Sequence, residues 1–260
     1  MKNPQDIWYK SWFNTQDYLD LYKHRDEEDA KRIVTLLFKN IKLYKGSKVL
    51  DLACGNGRHS VLFAKRGYNV TGIDLSEFLI KQAKKKLKEE YRKYSCNLRF
   101  EIRDMRNINH VKEFDLVVNI FSSFGYFKTN NDNEQVIHSV SRSLKPCGYF
   151  LLDFLNNYYL AKNIVHYDIK RGRGKIIIQV REICNGFVQK DILIFRNDPS
   201  KGKYPIFNRF REKIRLYSVK DFIRMFSKHK LKILEKFGDY SGSPFNTRKS
   251  ERLIILAQKI

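Results

Sequence analysis

Five residues have types and spacing that could do chemistry: Asp51, Gly55, Gly57, Asp74 and Asp104. Asp51 sits inside the apolar run Val49-Leu50-Asp51-Leu52-Ala53, where a carboxylate is costly to bury without a partner. A short apolar run ending near glycine suits a parallel strand covered on both faces. In Gly55-Asn56-Gly57 the missing Cβ atoms permit a sharp turn and the close approach of a ligand. Ser60 to Gly67 then reads as a short amphipathic helix stopped by a glycine. A second strand, Tyr68 to Ile73, ends in Asp74, 17 residues past Gly57, where an acid can accept both hydroxyls of a ribose.

A strand, a glycine turn, a helix and a ribose acid serve either NAD or S-adenosylmethionine. Three details favour the second. A dinucleotide fingerprint wants a third glycine at position 60, and Ser60 stands there. Asp51 precedes the glycines, where it can meet a cationic amine. Asp104 follows a third strand, Asn97 to Arg103, where an adenine would lie.

The stretch Val49-Leu50-Asp51-Leu52-Ala53-Cys54-Gly55-Asn56-Gly57-Arg58-His59-Ser60 resembles motif I of the class I S-adenosylmethionine-dependent methyltransferases. Gly72-Ile73-Asp74-Leu75-Ser76 resembles their motif II, and Arg103-Asp104-Met105-Arg106 their adenine-side motif. Phe114 to Asn119 resembles the fourth strand, and Leu144-Lys145-Pro146-Cys147-Gly148 the turn before the fifth. Cys147 departs from the glycine usual in that family. The whole chain more loosely resembles a small bacterial subgroup with an antiparallel insert after strand five. The resemblance implies an α/β, Rossmann-like sheet of seven strands, mostly parallel with the last antiparallel, carrying a small antiparallel β insert. It implies a cofactor site of Asp51, Ala53, Gly55, Gly57, Arg58, Asp74, Leu75, Asp104, Met105 and Asn119. Asp51 would meet the methionine amine of the cofactor, Asp74 its ribose and Asp104 its adenine amino group. Met105 would add a backbone N–H or an apolar side chain there, and Asn119 would reach the methionine end. The product would be S-adenosylhomocysteine.

The elements that must position these groups follow in order. Residues 1–40 hold an aromatic segment and a helix from about Arg25 to Asn40. In the look-alike family such a segment covers the cofactor, so Tyr18, Tyr22, His24 and Arg25 are expected on the substrate side. Residues 41–156 and 217–260 are expected to form the main sheet domain. After strand four comes Phe121-Ser122-Ser123-Phe124-Gly125-Tyr126-Phe127, aromatic and glycine-hinged, at a strand's carboxyl end, where ligands of open α/β sheets bind. Phe124 and Tyr126 are its substrate-side candidates, and Tyr126 the candidate catalytic contact. Over 157–216 the pattern changes to period two. Lys175 to Glu182 and Phe187 to Arg196 flank the hairpin signal Cys184-Asn185-Gly186, and Phe207 to Leu216 adds a third strand. Ser218 caps a helix to about Lys228, and Leu231 to Phe237 and Arg252 to Lys259 complete the main sheet. The turn-rich loop Gly238 to Pro244 between them matches one that lies near the active site in the look-alikes.

Composition narrows the function classes. The 260 residues are 42% hydrophobic, enough for a sizeable core. No apolar run approaches the roughly 20 residues that span a bilayer, and Met1 to Asp6 lacks a signal-peptide apolar region. A cytoplasmic protein is expected. The four cysteines are scattered, against a zinc site or a disulfide framework. The net charge of +23 attracts polyanions, but no RNA-binding module pattern accompanies it, so a small-molecule acceptor ranks above nucleic acid. Pro146-Cys147 echoes the Pro-Cys of cytosine-5 methyltransferases but precedes strand five instead of following strand four. The expected chemistry is in-line displacement of a methyl group onto a nitrogen or oxygen of a small molecule, with an RNA methyltransferase or RNA-binding module as the alternative.

Overall fold

The computed structural model describes residues 8–23, 27–172, 174–196 and 206–260. His24 and Arg25 lie outside the described residues. Two short helices, α1 (Trp8–Trp12) and α2 (Gln16–Leu21), precede α3 (Glu27–Asn40). Five βα-type strands follow: β1 (Lys48–Leu52), β2 (Asn69–Asp74), β3 (Leu98–Ile102), β4 (Phe114–Asn119) and β5 (Leu144–Leu155). Between them run α4 (Arg58–Lys65), α5 (Glu77–Glu89) and α6 (Asn130–Ser143). Then come α7 (Asn157–Asn163), four strands β6 (Tyr167–Gly172), β7 (Lys175–Cys184), β8 (Phe187–Arg196) and β9 (Ile206–Arg215), helix α8 (Val219–Lys228), and β10 (Leu231–Phe237) and β11 (Arg252–Lys259).

The main sheet has seven strands in the order β10-β11-β5-β4-β1-β2-β3. β11 runs antiparallel to both its neighbours, and β1 to β5 pair in parallel. Alternation along β1 explains the two-sided core. Val49 packs in one apolar layer with Ile33, Phe63 and Ile80 of α3, α4 and α5. Leu50 and Leu52 pack in the other with Val136, Phe222 and Phe226 of α6 and α8. The strands open at β1, between β2 and β4, so the loops after β1 and β4 diverge there and form a crevice at the switch point.

Two sequence expectations change. β5 begins at Leu144, so Lys145-Pro146-Cys147-Gly148 is no separate turn. Cys147 takes φ +60° and the β4–β5 register slips between Phe114 and Leu116, which makes the segment a bulge. The insert has four strands, in the order β6-β7-β8-β9. The first, Tyr167-Asp168-Ile169-Lys170-Arg171-Gly172, lies at the sheet edge and is mostly exposed, so polar residues take positions that a buried strand fills with apolar ones. The helices start where side chains cap them: Thr129 on α6, Ser76 on α5, and Ser218 with Asp221 as a reciprocal capping box on α8. Among the described residues no helix is long and apolar enough to cross a membrane.

Candidate active site

The turn after β1 has left-handed backbone at alternate positions: Ala53 at φ +53°, Gly55 at +57° and Gly57 at +82°. Such alternation turns successive N–H groups into a concavity suited to anions. The two glycines are needed for different reasons. A Cβ on Gly57 would come within 2.5 Å of the Phe100 ring on β3, so this glycine seats α4 against the sheet. A Cβ on Gly55 would meet nothing within 4 Å, because this position faces the cleft. The close approach expected of both glycines belongs to Gly55.

Asp74 ties the two loops together. Its Oδ2 accepts the Gly55 N–H at 2.9 Å and its Oδ1 the Ser76 N–H at 2.8 Å. Burial pushes its carboxyl up, and the backbone N–H donors of Ser76 and Gly55 pull the other way. Asp51 is 1% exposed and accepts from Ser60 Oγ at 2.6 Å. Burial raises its carboxyl to about 7; the Ser60 hydroxyl opposes this, and the nearby Asp74 adds to it. Ser60, at the position where a dinucleotide site would have glycine, is thus the protein partner of Asp51.

Asp104 closes the far end of the cleft in a fork with Arg106. Arg106 Nε lies 3.1 Å from each carboxylate oxygen, Nη2 lies 2.7 Å from Oδ2, and the Arg106 backbone N–H reaches Oδ1 at 2.9 Å. The guanidinium also meets Asp132 at 3.1 Å and lies 4.2 Å from the Phe127 ring centroid. Leu75 and Met105 line this narrow part, whose free volume is about 70 Å³. Asn119 is turned into the sheet instead of toward the cleft. Its Nδ2 donates to the Leu52 carbonyl at 3.2 Å, and it lines neither part of the cleft. Its Oδ1 is buried with no partner among the described residues.

The wide part of the cleft encloses about 680 Å³. Ala53, Arg58 and His59 form one wall, with the Arg58 guanidinium 4.9 Å from the Phe121 ring centroid. His59 is buried and its Nε2 has no partner among the described residues. Burial, helped by Arg58, lowers this imidazole to about 3, so it is neutral near pH 7. Tyr126 lines both parts of the cleft and meets the rings of Trp8 at 5.0 Å and Phe13 at 5.6 Å. Phe124 does not share that wall. It is 1% exposed and packs behind the sheet against Phe154, Tyr217 and Phe222. Gly125, at φ +89°, lies so close to β9 that a Cβ would come within 2.7 Å of the Arg215 carbonyl. The chain reverses there, which sends Phe124 to the core and Tyr126 to the cleft.

The roof comes from the N-terminal segment. Tyr18 and Tyr22 line the wide part. Trp12 Nε1 donates to Glu212 Oε1 on β9 at 2.7 Å, and the Tyr22 hydroxyl donates to the same oxygen at 2.6 Å. Lys190 on β8 bonds both Tyr22 and Glu212. Burial would raise the Glu212 carboxyl, but Lys190 and the two donors outweigh it and hold it low. Asp17 pairs with Lys175 and Arg196, and Asp20 with Lys175, so α2 is strapped to the insert. At its other end Ser76 Oγ, at the start of α5, bonds the Phe13 carbonyl at 3.0 Å and Asn14 Oδ1 at 2.8 Å.

The floor rests on a group that the sequence reading missed. Asp153 on β5 is 0% exposed. Its Oδ1 accepts from Arg252 Nε and Nη2 at 2.9 and 2.7 Å. Its Oδ2 accepts the Phe121 N–H and the Tyr240 hydroxyl, both at 2.9 Å. Arg252 Nη2 also reaches Ser122 Oγ at 2.7 Å. These bonds hold Phe121 and Ser122 at φ +63° and +60°, a conformation that non-glycine residues adopt at a cost of about 1–3 kcal/mol each. A signal was present: Asp153 interrupts Leu151-Leu152-Asp153-Phe154-Leu155 as Asp51 interrupts β1. Glu212, in Phe210-Arg211-Glu212-Lys213, carried no such signal.

Known proteins resemble the chain in sequence and in fold. Residues 49–148 match a family described as a methyltransferase domain. The chain is 40% identical over 116 residues to the Bacillus subtilis protein YqeM, covering 44% of this chain and 45% of that one. It is 30% identical over 163 residues to the dTDP-3-amino-3,4,6-trideoxy-alpha-D-glucopyranose N,N-dimethyltransferase of Streptomyces venezuelae, covering 61% and 65%. The matched regions thus span less than two thirds of either relative. A crystal structure of an S-adenosylmethionine-dependent methyltransferase from Clostridium acetobutylicum shares the fold with a TM-score of 0.76 at 22% identity, over 94% of this chain and 96% of that one.

Proposed function

We propose that this chain, which carries a class I S-adenosylmethionine-dependent methyltransferase domain, methylates a small molecule at an amine nitrogen. The observation that carries the reading is the roof of the wide cleft. Trp12 and Tyr22 bond Glu212, and α2 is ion-paired to Lys175 and Arg196, so the space beside Tyr126 is walled by the segment, the insert and the loop after β4. Such a chamber suits a small molecule better than a polynucleotide. The similar Streptomyces venezuelae protein is named as an amino-sugar N,N-dimethyltransferase, which agrees with an amine acceptor.

The residues fit the cofactor. Gly55 leaves its side-chain direction open to the cleft, Asp51 is a buried carboxylate bonded by the hydroxyl and backbone of Ser60, and Asp74, which accepts backbone N–H groups of Ser76, Gly55 and Leu75, retains acceptor capacity on its two oxygens. Asp51 would hold the cofactor's ammonium, Asp74 its ribose, and Asp104 with Met105 its adenine. When bound, S-adenosylmethionine supplies an electrophilic methyl group and its own sulfide leaving group. The protein's task is to hold the nucleophile within about 3–3.5 Å of that methyl and in line. Among the described residues, His59, Glu212 and the loop after β4 supply no strong base. His59 has a pKa of about 3, Glu212 is engaged by three donors, and the loop Phe121–Phe127 contains no acid or imidazole. An amine, nucleophilic once neutral, needs no such base; a hydroxyl does.

Tyr126 orients the acceptor. Tyr126→Phe should reduce kcat by about 2- to 12-fold, the loss of one hydrogen bond, with cofactor affinity unchanged. The deciding assay offers labelled S-adenosylmethionine with a metabolite extract fractionated by amine content, and in parallel with total RNA. Label in amine-bearing metabolites is the expected result. Transfer to RNA alone would replace this reading with the nucleic-acid one.

A further inference from the structure

The insert sheet has two faces, and the site uses one. Its inner face carries Ile192 and Ile194, fully buried under Trp8 and Trp12, and Lys190 and Glu212 beside the cleft. Registers fix what the other face carries. Across β6, β7, β8 and β9 the outward rows are Arg171–Ile176–Phe195–Phe207, Ile169–Ile178–Leu193–Arg209 and Tyr167–Val180–Asp191–Arg211. Beyond the end of β6 follow Glu182–Gln189–Lys213 and Cys184–Phe187–Arg215. β9 therefore places Arg209, Arg211, Lys213 and Arg215 in one column, at intervals of about 6.8 Å, of which Arg215 is tied to the main domain by its Nη2 bond to the Lys128 carbonyl at 2.7 Å. With Arg171 the face has four cations besides Arg215, and among the described residues Glu182 and Asp191 oppose them there. Asp191 meets Arg211 at 2.7 Å and Arg209 at 3.3 Å.

Aromatic rings stand among the cations. Phe207 is 50% exposed, with its ring 5.2 Å from that of Phe195, and Tyr167 is 56% exposed. Lys213 and Arg215 lie 4.4 and 4.3 Å from the centre of the Phe187 ring. Ile169, Ile176 and Val180 add exposed apolar surface between them.

We infer that this outer face is a docking platform for single-stranded nucleic acid. Exposed rings on a sheet stack unpaired bases, and a flanking line of cations follows the phosphates. The charge excess selects against a second copy of the chain, which would bring the same cation column against a face already positive. A duplex hides the base faces that the rings would stack. The face lies opposite the cleft, so the platform neither overlaps the acceptor chamber nor rests on the proposed activity.

The test measures binding of the whole chain to a labelled 12-nucleotide oligouridylate by fluorescence anisotropy across a potassium chloride series, without cofactor. Binding should weaken with salt at a log–log slope of about −2 to −3, as three or four phosphate contacts give. Phe207→Ala should weaken binding at least about 5-fold, the loss of one stacked base. Arg209→Gln should reduce the slope by about 0.7. A hairpin duplex of equal charge should bind more weakly. Unchanged circular dichroism and S-adenosylmethionine affinity show that each variant is folded. The inference is overturned if no salt-dependent binding appears, or if both variants bind as the parent does. It is equally overturned if sedimentation finds a dimer that Phe207→Asp dissociates while oligonucleotide binding is absent.

Discussion

The two ends of the cleft are built on different plans. At the cofactor end the parts are neighbours in sequence: Asp51 with Ser60, Gly55 with Asp74, Asp104 with Arg106. Much of it is backbone, shaped by left-handed turns. At the acceptor end the parts are far apart along the chain and joined by side chains: Trp12 with Glu212, Tyr22 with Lys190, Asp153 with Arg252. The cofactor end holds a carboxylate whose charge is poorly compensated by protein; the acceptor end pairs its buried charges internally. One end is built to be completed by a ligand, and the other is held together by its own residues.

The largest expected effect tests the self-paired end. Arg252→Leu leaves Asp153 buried without its cation and should lower folding stability by about 3–5 kcal/mol in urea titrations. A loss under about 1 kcal/mol would show that the pair does not hold the floor. Next comes the ligand-completed end. The Asp51 carboxyl is raised from 3.8 to about 7 in the folded state. The folded state therefore binds a proton more tightly than the unfolded one, and that stabilisation is fully present below about pH 3.8 and lost as pH rises to about 7. Asn does not titrate, so the stability of Asp51→Asn relative to the parent should grow between pH 4 and 8, by up to about 4 kcal/mol. Saturating S-adenosylmethionine should shrink that growth, because an ammonium compensates the charge. A difference independent of pH would contradict the poorly compensated carboxylate. The smallest effect is Asp74→Ala, which should weaken S-adenosylmethionine binding by about 1–3 kcal/mol in calorimetry. An unchanged affinity would move the ribose contact elsewhere.

This contrast also explains what could be read from the sequence. The seven-stranded sheet and the antiparallel insert were legible because period, glycine position and the Asp51 and Asp74 spacing are local signals. The Gly55 turn was legible for the same reason. Phe124 and Asn119 were misplaced because a residue's position in a motif does not give the direction of its side chain. The turn at Gly125 decides the first, and the Leu52 carbonyl decides the second. Glu212 and Lys190 could not be found, since an acid and a lysine in such strands look the same whether they face water or meet Tyr22 from 190 and 168 residues away. Edge strand β6 was missed because exposed edges carry no hydrophobic alternation strong enough to see.

Strand β11 lies between β5 and β10, inside the sheet, although it follows every other strand in chain order. Until they emerge, β5 has an open edge and Asp153 lacks Arg252, which stands 99 positions further on. The loop that floors the acceptor chamber can therefore be fixed only after Arg252 has been made, long after its own residues. The glycine turn and its acids can form much earlier, so during synthesis the protein should gain a place for the cofactor before it has one for the molecule to be modified.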